Sequence, residues 1–204
     1  MDTYGYDYVY ALTKDKVNEL LAQNLASVNM PLDYTNKDSV TGAVTTIHVT
    51  LSPWSMANGS QNRLVKLNVP IKSGSLSITG LPGVNGEWDM TGVTMLIEVN
   101  LGWMGPEDTQ ELNGQGALTQ LVFSPTKSPS VNDPGYVAII DVIDPSKKLT
   151  TAAIGMLKQI AQEAFYENRA NLQYIFASVV PTPTGTSTWL RPVKWQYYVA
   201  SGSI

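Results

Sequence analysis

The sequence has no cysteine, a single histidine and few charged residues, and each of these shortages narrows what the protein can be. The lack of cysteine excludes disulfides, thiolate nucleophiles and cysteine-based metal sites. Charged residues make up 15% of the 204 residues, compared with about 25% in a typical soluble domain. The net charge is −4 and the sequence holds no cluster of lysine and arginine, so it offers no electrostatic footprint for nucleic acid or for an anionic membrane.

Long apolar runs are missing as well. No stretch approaches the roughly 18 consecutive apolar residues that a membrane-spanning helix requires. The first residues do not combine a basic region with an apolar run, which is the pattern of a secretory signal. We therefore expect a protein with no transmembrane segment that is either cytoplasmic or exported without a classical signal peptide.

The first amphipathic helix is predicted over residues 14–28, with Thr13 as its N-cap. Asn24 falls inside the apolar arc of this segment, and a buried amide must find hydrogen-bond partners. The helix is therefore expected to bury one broad stripe with a polar group near its middle. At 100° per residue, the apolar side chains in an arc of about 140° are Val17, Leu20, Leu21, Leu25 and Val28.

A second amphipathic helix is predicted over residues 151–168. Its length would be about 27 Å at 1.5 Å per residue. The alanines on its apolar face allow the helix to lie close to the element that it covers. That face consists of Ile154, Leu157, Ile160, Ala161, Ala164 and Phe165.

Most of the remaining sequence alternates between apolar and polar residues, which is the pattern of half-buried β-strands. The most regular run, MTGVTMLIEVNLGWM, predicts one strand of about 35 Å. Turn signals such as NGSQN, KSGS and GLPGVNGE separate the runs. About nine strands in succession, two helices and no βαβ alternation indicate an α+β fold with a mostly antiparallel sheet. The predicted inner face of the long strand is Val93, Met95, Ile97, Val99, Leu101 and Trp103.

Both ends of the chain resemble one known family. The opening stretch TYGYDYVYALTKDKVNELL resembles the N-terminal signature of the OrfX and 47-kilodalton accessory proteins of clostridial neurotoxin gene clusters. The segments LQYIFASVV and WLRPVKWQYYVA resemble the closing strands of that family. The resemblance implies a tubular lipid-binding (TULIP) type fold, with long amphipathic helices packed in a highly curved, mostly antiparallel β-sheet.

Under this resemblance residues 1–204 are expected to form a single TULIP-like domain. The tyrosines of the opening stretch recur at every second residue, as on one face of a strand. We interpret them as an aromatic strand face that the adjacent helix partly covers, because a tyrosine ring packs while its hydroxyl reaches water or the backbone. These tyrosines are Tyr4, Tyr6, Tyr8 and Tyr10.

The sequence contains no recognisable catalytic constellation. His48 lies on the polar side of a strand among threonines, and no nucleophile motif accompanies it. The acidic residues Glu107, Asp108 and Glu111 lack the spacing of a calcium loop. We therefore expect no enzymatic activity, no cofactor and no bound metal.

Two functions remain open at this stage. The first is binding of a lipid or another apolar ligand, which requires an internal void between the helices and the sheet. The second is a scaffold role without lipid activity, in which aromatic-rich strand edges such as WQYYV bind other proteins of the same gene cluster. The candidate ligand-contact residues are Leu21, Asn24, Leu25, Val28, Ile97, Val99, Leu101, Trp103, Leu157 and Phe165.

Overall fold

The computed structural model describes residues 12–104, 119–172, 174–179, 197 and 199. The tyrosine row, the acidic residues at 107–111 and nearly all of the predicted closing strand WLRPVKWQYYVA lie outside the described residues. Within them the helices are α1 (Lys14–Leu25), α2 (Thr151–Glu167) and α3 (Arg169–Leu172). The strands are β1 (Met30–Lys37), β2 (Val44–Leu51), β3 (Ser55–Met56), β4 (Leu64–Thr79), β5 (Gly86–Asp89), β6 (Thr94–Asn100), β7 (Gly102–Met104), β8 (Thr119–Phe123), β9 (Val137–Ile143) and β10 (Tyr174–Val179).

Two antiparallel sheets contain all of these strands. The main sheet follows the order β1-β2-β4-β6-β9, with β3 and β5 also paired to β4. The second sheet has three strands in the order β10-β8-β7. Every pairing in both sheets is antiparallel. The α+β class and the mostly antiparallel sheet are therefore confirmed.

Strand β4 is longer than the sequence predicts, because the KSGS segment does not form a turn. The strand runs through it for 16 residues. Gly74 has a φ of +123°, and the pairing with β2 slips between the Ser73–Thr50 and Ile71–Leu51 pairs. A bulge of this kind bends a strand while preserving its pairing. The prediction of a turn was wrong because glycine and serine are compatible with a β-bulge as well as with a turn.

The bulge also decides which side chains of β4 enter the core. Buried positions have odd numbers before it, as in Leu67 and Ile71, and even numbers after it, as in Leu76 and Ile78. In an uninterrupted strand such residues would point to opposite faces. The extra residue returns both halves of the strand to the same face, so one strand contributes to one core along its whole length.

Helix α1 is shorter than predicted. The Thr13 hydroxyl accepts a hydrogen bond from the Lys16 N–H at 3.2 Å, which confirms the predicted N-cap. The helix ends at Leu25, because the chain must turn before β1 begins at Met30. Val28 therefore lies beyond the helix, 44% exposed, and the prediction that it belongs to the apolar stripe was wrong.

The strand predicted across residues 93–103 is interrupted at Leu101. Strand β6 ends one residue earlier, and β7 begins one residue later in the other sheet. At this point the Asn100 carbonyl accepts from the Gly135 N–H at 2.8 Å, and the Leu101 N–H donates to the Tyr197 hydroxyl at 2.7 Å. These contacts with distant segments take the place of strand pairing and end the strand.

Helix α2 agrees with the sequence prediction to within one residue. The Thr150 hydroxyl caps its start by accepting from the Ala153 N–H at 3.1 Å. At its end, the side chain of Asn168 exchanges hydrogen bonds of 3.2 and 2.8 Å with the backbone of Asp33 on β1. The apolar face is buried as expected apart from Ile154, which is half-buried. The helix thus covers the sheet and is tied to its edge strand.

Three aromatic side chains connect the two sheets to α2. The rings of Trp54 and Phe123 meet edge to face with centroids 5.4 Å apart. Phe123 meets Phe165 of α2 in the same way at 6.2 Å. Such contacts add about 0.5–1.5 kcal/mol each to the burial of the rings. Both sheets and both long helices therefore share one hydrophobic core.

We predict that Gly74→Ala is strongly destabilising. A Cβ atom at this position would lie 2.1 Å from the His48 carbonyl oxygen and 2.5 Å from the Val49 Cα. The backbone would have to move, and the positive φ is strained for alanine, so the free energy of unfolding should fall by about 3 kcal/mol or more. Urea unfolding followed by circular dichroism measures the change.

Gly42→Ala is the matched control for this prediction. Gly42 also has a positive φ of +73°, but no atom lies within 4 Å of the position that its Cβ would take. The cost there should be about 1 kcal/mol, from backbone strain alone. Equal losses in the two variants would show that the close approach at Gly74 is unimportant.

Candidate functional site

The predicted ligand-contact residues fall into three groups by exposure. Asn24 is exposed, and its side-chain amide donates to the Tyr174 hydroxyl at 3.2 Å. Val28 is exposed as well, and Trp103 is half-buried. The remaining candidates are at most 4% exposed and belong to the shared core, namely Leu21, Leu25, Ile97, Val99, Leu101, Leu157 and Phe165.

The exposure of Asn24 corrects the prediction of a buried amide in α1. Only Leu21 and Leu25 of this helix are fully buried, so the buried stripe is narrower than the apolar arc in the sequence. The partner of Asn24 is a tyrosine of β10, which ties α1 to the second sheet. This amide therefore has an ordinary structural role at the surface.

Leu101 and Trp103 are the two candidates that also line a crevice. The crevice has a volume of about 90 Å³ and lies where the chain passes from β6 of the main sheet to β7 of the second sheet. One wall is the tight turn before β4, and another is the loop that precedes β9. The lining residues are Arg63, Asn100, Leu101, Trp103, Asn132, Pro134 and Tyr197.

The hydroxyl of Tyr197 holds the floor of this crevice together. It accepts from the Leu101 N–H at 2.7 Å. It also lies 2.9 Å from Asn100 Oδ1 and 2.5 Å from the Arg63 carbonyl oxygen, to one of which it donates its proton. Asn100 is 3% exposed, and its amide nitrogen donates to the Val131 carbonyl at 2.9 Å. The buried polar groups of the floor are thus paired with one another.

Burial raises the pKa of Tyr197 to about 12, while the Leu101 N–H and the positive charge of Arg63 act in the opposite direction. The phenol therefore remains protonated at neutral pH and keeps its role as a donor. The backbone next to it is fixed as well, since Asn62 and Val199 exchange hydrogen bonds of 3.1 and 2.8 Å. Hydrogen bonds between distant segments therefore hold the residues that line the crevice together.

Sequence reasoning did not identify Asn100 or Arg63, and it named Tyr197 only as part of the strand edge WQYYV. The Tyr197 hydroxyl lies 134 residues from Arg63 and 97 from Asn100 along the chain, and no spacing pattern encodes such contacts. A buried asparagine at the end of an apolar strand was the one available signal, because a buried amide requires partners.

The one histidine is on the surface. The imidazole Nδ1 of His48 pairs with the carboxylate of Asp33, directly across the β1–β2 ladder. The two side chains are 77% and 49% exposed. Ser75 lies opposite His48 on β4, but no hydroxyl among the described residues forms a hydrogen bond with the imidazole. Within the same residues, no three histidine or acidic side chains converge as metal ligands. A search of those residues for a helix that is long and apolar enough to cross a membrane also finds none.

The described residues form an antiparallel α+β fold with a shared hydrophobic core and a small surface crevice. No protein-family model matches the chain. A curated relative, protein P47 of Clostridium botulinum (strain Kyoto, type A2), is 26% identical over 197 residues, which are 97% of this chain and 42% of P47. The chain therefore spans about two-fifths of the length of this relative.

Two solved structures have the same fold. The structure of P47 from Clostridium botulinum A2 superposes with a TM-score of 0.69 at 21% identity, over 91% of this chain and 39% of that one. P47 of Clostridium botulinum E1 gives 0.63 at 17% identity, over 94% and 40%. The resemblance to the clostridial 47-kilodalton proteins, which the sequence indicates, is confirmed by these comparisons.

We predict that Tyr197→Phe destabilises the protein by about 1–3 kcal/mol, because the Leu101 N–H and Asn100 lose a buried partner. Equilibrium unfolding in urea measures the loss. Tyr136→Phe is the control, since the Tyr136 hydroxyl makes no hydrogen bond within the described residues, and it should change stability by less than about 0.5 kcal/mol.

Tyr197 should also make the free energy of unfolding depend on pH in the alkaline range. Its pKa is raised from 10.0 in the unfolded chain to about 12 in the folded protein. Because the folded state holds this proton more tightly, the raised pKa contributes stability in full below pH 10, the pKa of the unfolded chain. That contribution disappears as the pH rises from 10 towards 12. The wild-type protein should therefore lose more stability over this range than Tyr197→Phe, and parallel pH profiles would contradict the assignment.

Proposed function

We propose that this chain is a non-enzymatic, TULIP-like domain that acts as an accessory interaction module of a toxin-type gene cluster. Its likeness to P47 in sequence and fold supports the family context. The bulge in β4 supports the curved sheet of a TULIP fold, because a bulged strand bends. The proposal concerns this chain, which covers about two-fifths of P47.

The observation that carries the proposal is the burial of the apolar candidate residues. The buried candidates of the two helices and the long strand pack into one shared hydrophobic core. The crevice that Leu101 and Trp103 line has a volume of about 90 Å³, whereas a cavity that holds benzene measures about 150 Å³. It is too small for an acyl chain. These residues act as core in the interaction module.

Two further features support binding without catalysis. His48 pairs with the carboxylate of Asp33 at the exposed surface, and its imidazole forms no hydrogen bond with a hydroxyl among the described residues, although Ser75 lies opposite it on β4; a catalytic triad uses such a hydrogen bond. Among the described residues the path of the main sheet ends in β1 and β9, and strand edges can accept strands from partner proteins. Side chains at or near α2 reach both end strands, because Asn168 bonds to the backbone of Asp33 on β1 and Lys158 bonds to the Ile140 carbonyl on β9.

Binding to purified proteins encoded beside this gene tests the proposal. We expect one of them to form a stable complex with the full chain, detected by size-exclusion chromatography with light scattering and quantified by calorimetry. An unrelated acidic protein of similar size is the control. A chain that remains monomeric and binds none of these gene products would contradict the interaction role.

A second candidate function, binding of a lipid or another apolar ligand, is favoured by Trp54. Its side chain is 2% exposed, and its indole N–H has no hydrogen-bond partner among the described residues. A buried donor without a partner costs about 1–3 kcal/mol. The carbonyl or carboxyl oxygen of an apolar ligand would satisfy this donor at the aromatic contact with Phe123.

Solvent extraction of the purified protein, followed by lipid mass spectrometry, tests this second candidate. Under it, near-stoichiometric lipid should be recovered, and Trp54→Phe should lower the recovery while circular dichroism remains unchanged. Trp88→Phe is the control, because Trp88 is only partly buried at strand β5. An extract without lipid would refute lipid binding and leave the interaction role standing.

A further inference from the structure

Arg63 lines the crevice and has no anionic partner among the described residues. Its side chain is exposed, and its guanidinium forms no ion pair with any described residue. None of the residues that line the crevice is acidic. The nearest carboxylate along the lining loop, Asp133, is engaged by the Ser128 hydroxyl at 2.5 Å. The positive charge of Arg63 is therefore available to a bound group.

The walls of the crevice have the composition of a binding hot spot. Arginine, tryptophan and tyrosine are the residues on which protein interfaces depend most, especially where they form a well-packed pocket. Here Arg63, Trp103 and Tyr197 surround a floor formed by Asn100 and Leu101. Since the polar groups of the floor already bond to one another, the guanidinium is the group that selects what enters.

The size of the crevice limits the occupant to a single side chain. Pockets for small organic ligands measure about 300–1,000 Å³, and a cavity that holds benzene measures about 150 Å³. A volume of about 90 Å³ therefore holds a group of a few heavy atoms. Charge complementarity with Arg63 makes that group an anion, and the rings and Leu101 favour one attached to a short apolar stem.

We propose that the crevice binds an aspartate or glutamate side chain of a partner protein, with its carboxylate paired to Arg63 and its methylene groups against Trp103 and Leu101. The planar guanidinium can pair with a carboxylate through two parallel hydrogen bonds. This inference rests on the proposed interaction role and names the chemistry of the partner surface. A partner that presents an acidic segment fits it.

A titration of the isotope-labelled full chain, observed by NMR, tests the site directly. The probes are the blocked peptides acetyl-Gly-Glu-Gly-amide and acetyl-Gly-Gln-Gly-amide, with sodium glutarate as a free acid. The glutamate peptide should shift the Arg63 Nε–H and Trp103 indole resonances with a millimolar Kd, and the glutamine peptide should bind about tenfold or more weakly. Equal binding of the two peptides, or no shift, overturns the proposal. Tighter binding of glutarate than of the peptide overturns the assignment to a protein partner.

Variants of Arg63 test whether peptide binding depends on the positive charge of this residue. Arg63→Gln should abolish the preference for the glutamate peptide and keep the spectrum of the folded protein, because the guanidinium forms no hydrogen bond or ion pair with another described residue. Lys72→Ala is the matched control, since Lys72 is an exposed cation that does not line the crevice, and it should bind as the wild type does. A Lys72→Ala variant with the same loss would overturn the assignment to Arg63.

The variant Arg63→Glu, tested for binding to the partner encoded in the same gene cluster, distinguishes the proposed acid-binding crevice from the proposed interaction role. The complex should weaken by tenfold or more if the crevice receives an acidic side chain. An unchanged affinity would refute the crevice as the docking point and leave the interaction role intact. If no gene product binds while the glutamate peptide does, the interaction role fails and the acid-binding site stands. Self-association that depends on Arg63 would identify a second copy as the occupant and overturn the assignment to another protein.

Discussion

The architecture depends on the bulge in β4, because this strand pairs with four others. Strands β2 and β5 pair with its second half, whereas β3 and β6 pair with its first half. Without the extra residue, one half would turn its apolar side chains away from the core. Gly74 permits the bulge by bringing its backbone against His48 more closely than any side chain would allow. A single backbone conformation thus lets α2 cover the sheet with one continuous apolar face.

A second constraint is the separation of the two sheets at Leu101. If β6 continued into β7 as one strand, there would be no space at its side for a crevice. The break leaves backbone groups that strand pairing does not satisfy, and the hydroxyl of Tyr197 and the loop at Gly135 supply partners for them. The same hydrogen bonds that end the strand therefore build a rigid polar floor at the surface.

The sequence predicted elements that local physics determines. Helix α2 and the start of α1 follow from apolar periodicity and from the capping hydroxyls of Thr13 and Thr150, and alternation located most strands. Features that depend on distant residues could not be predicted. The end of β6 depends on Tyr197, which lies 96 residues beyond Leu101. Asn24 is exposed because the buried stripe of α1 is narrower than the apolar arc in the sequence. The interior candidates were found by apolarity, whereas the crevice is lined by Arg63, which forms no ion pair within the described residues.

Arg63 is distinguished from other exposed cations, such as Lys72, by its position at the crevice. Among the described residues, Lys127 forms ion pairs with Glu163 and Glu167 at the surface. Exposed ion pairs of this kind contribute little to stability. Arg63 differs because it stands beside buried polar groups whose hydrogen bonds are already made. A carboxylate that entered there would lose water on one side and would be compensated by a guanidinium that pairs with no carboxylate in the described part of the chain. Under these conditions an added ion pair contributes to binding, since the free protein does not already contain it.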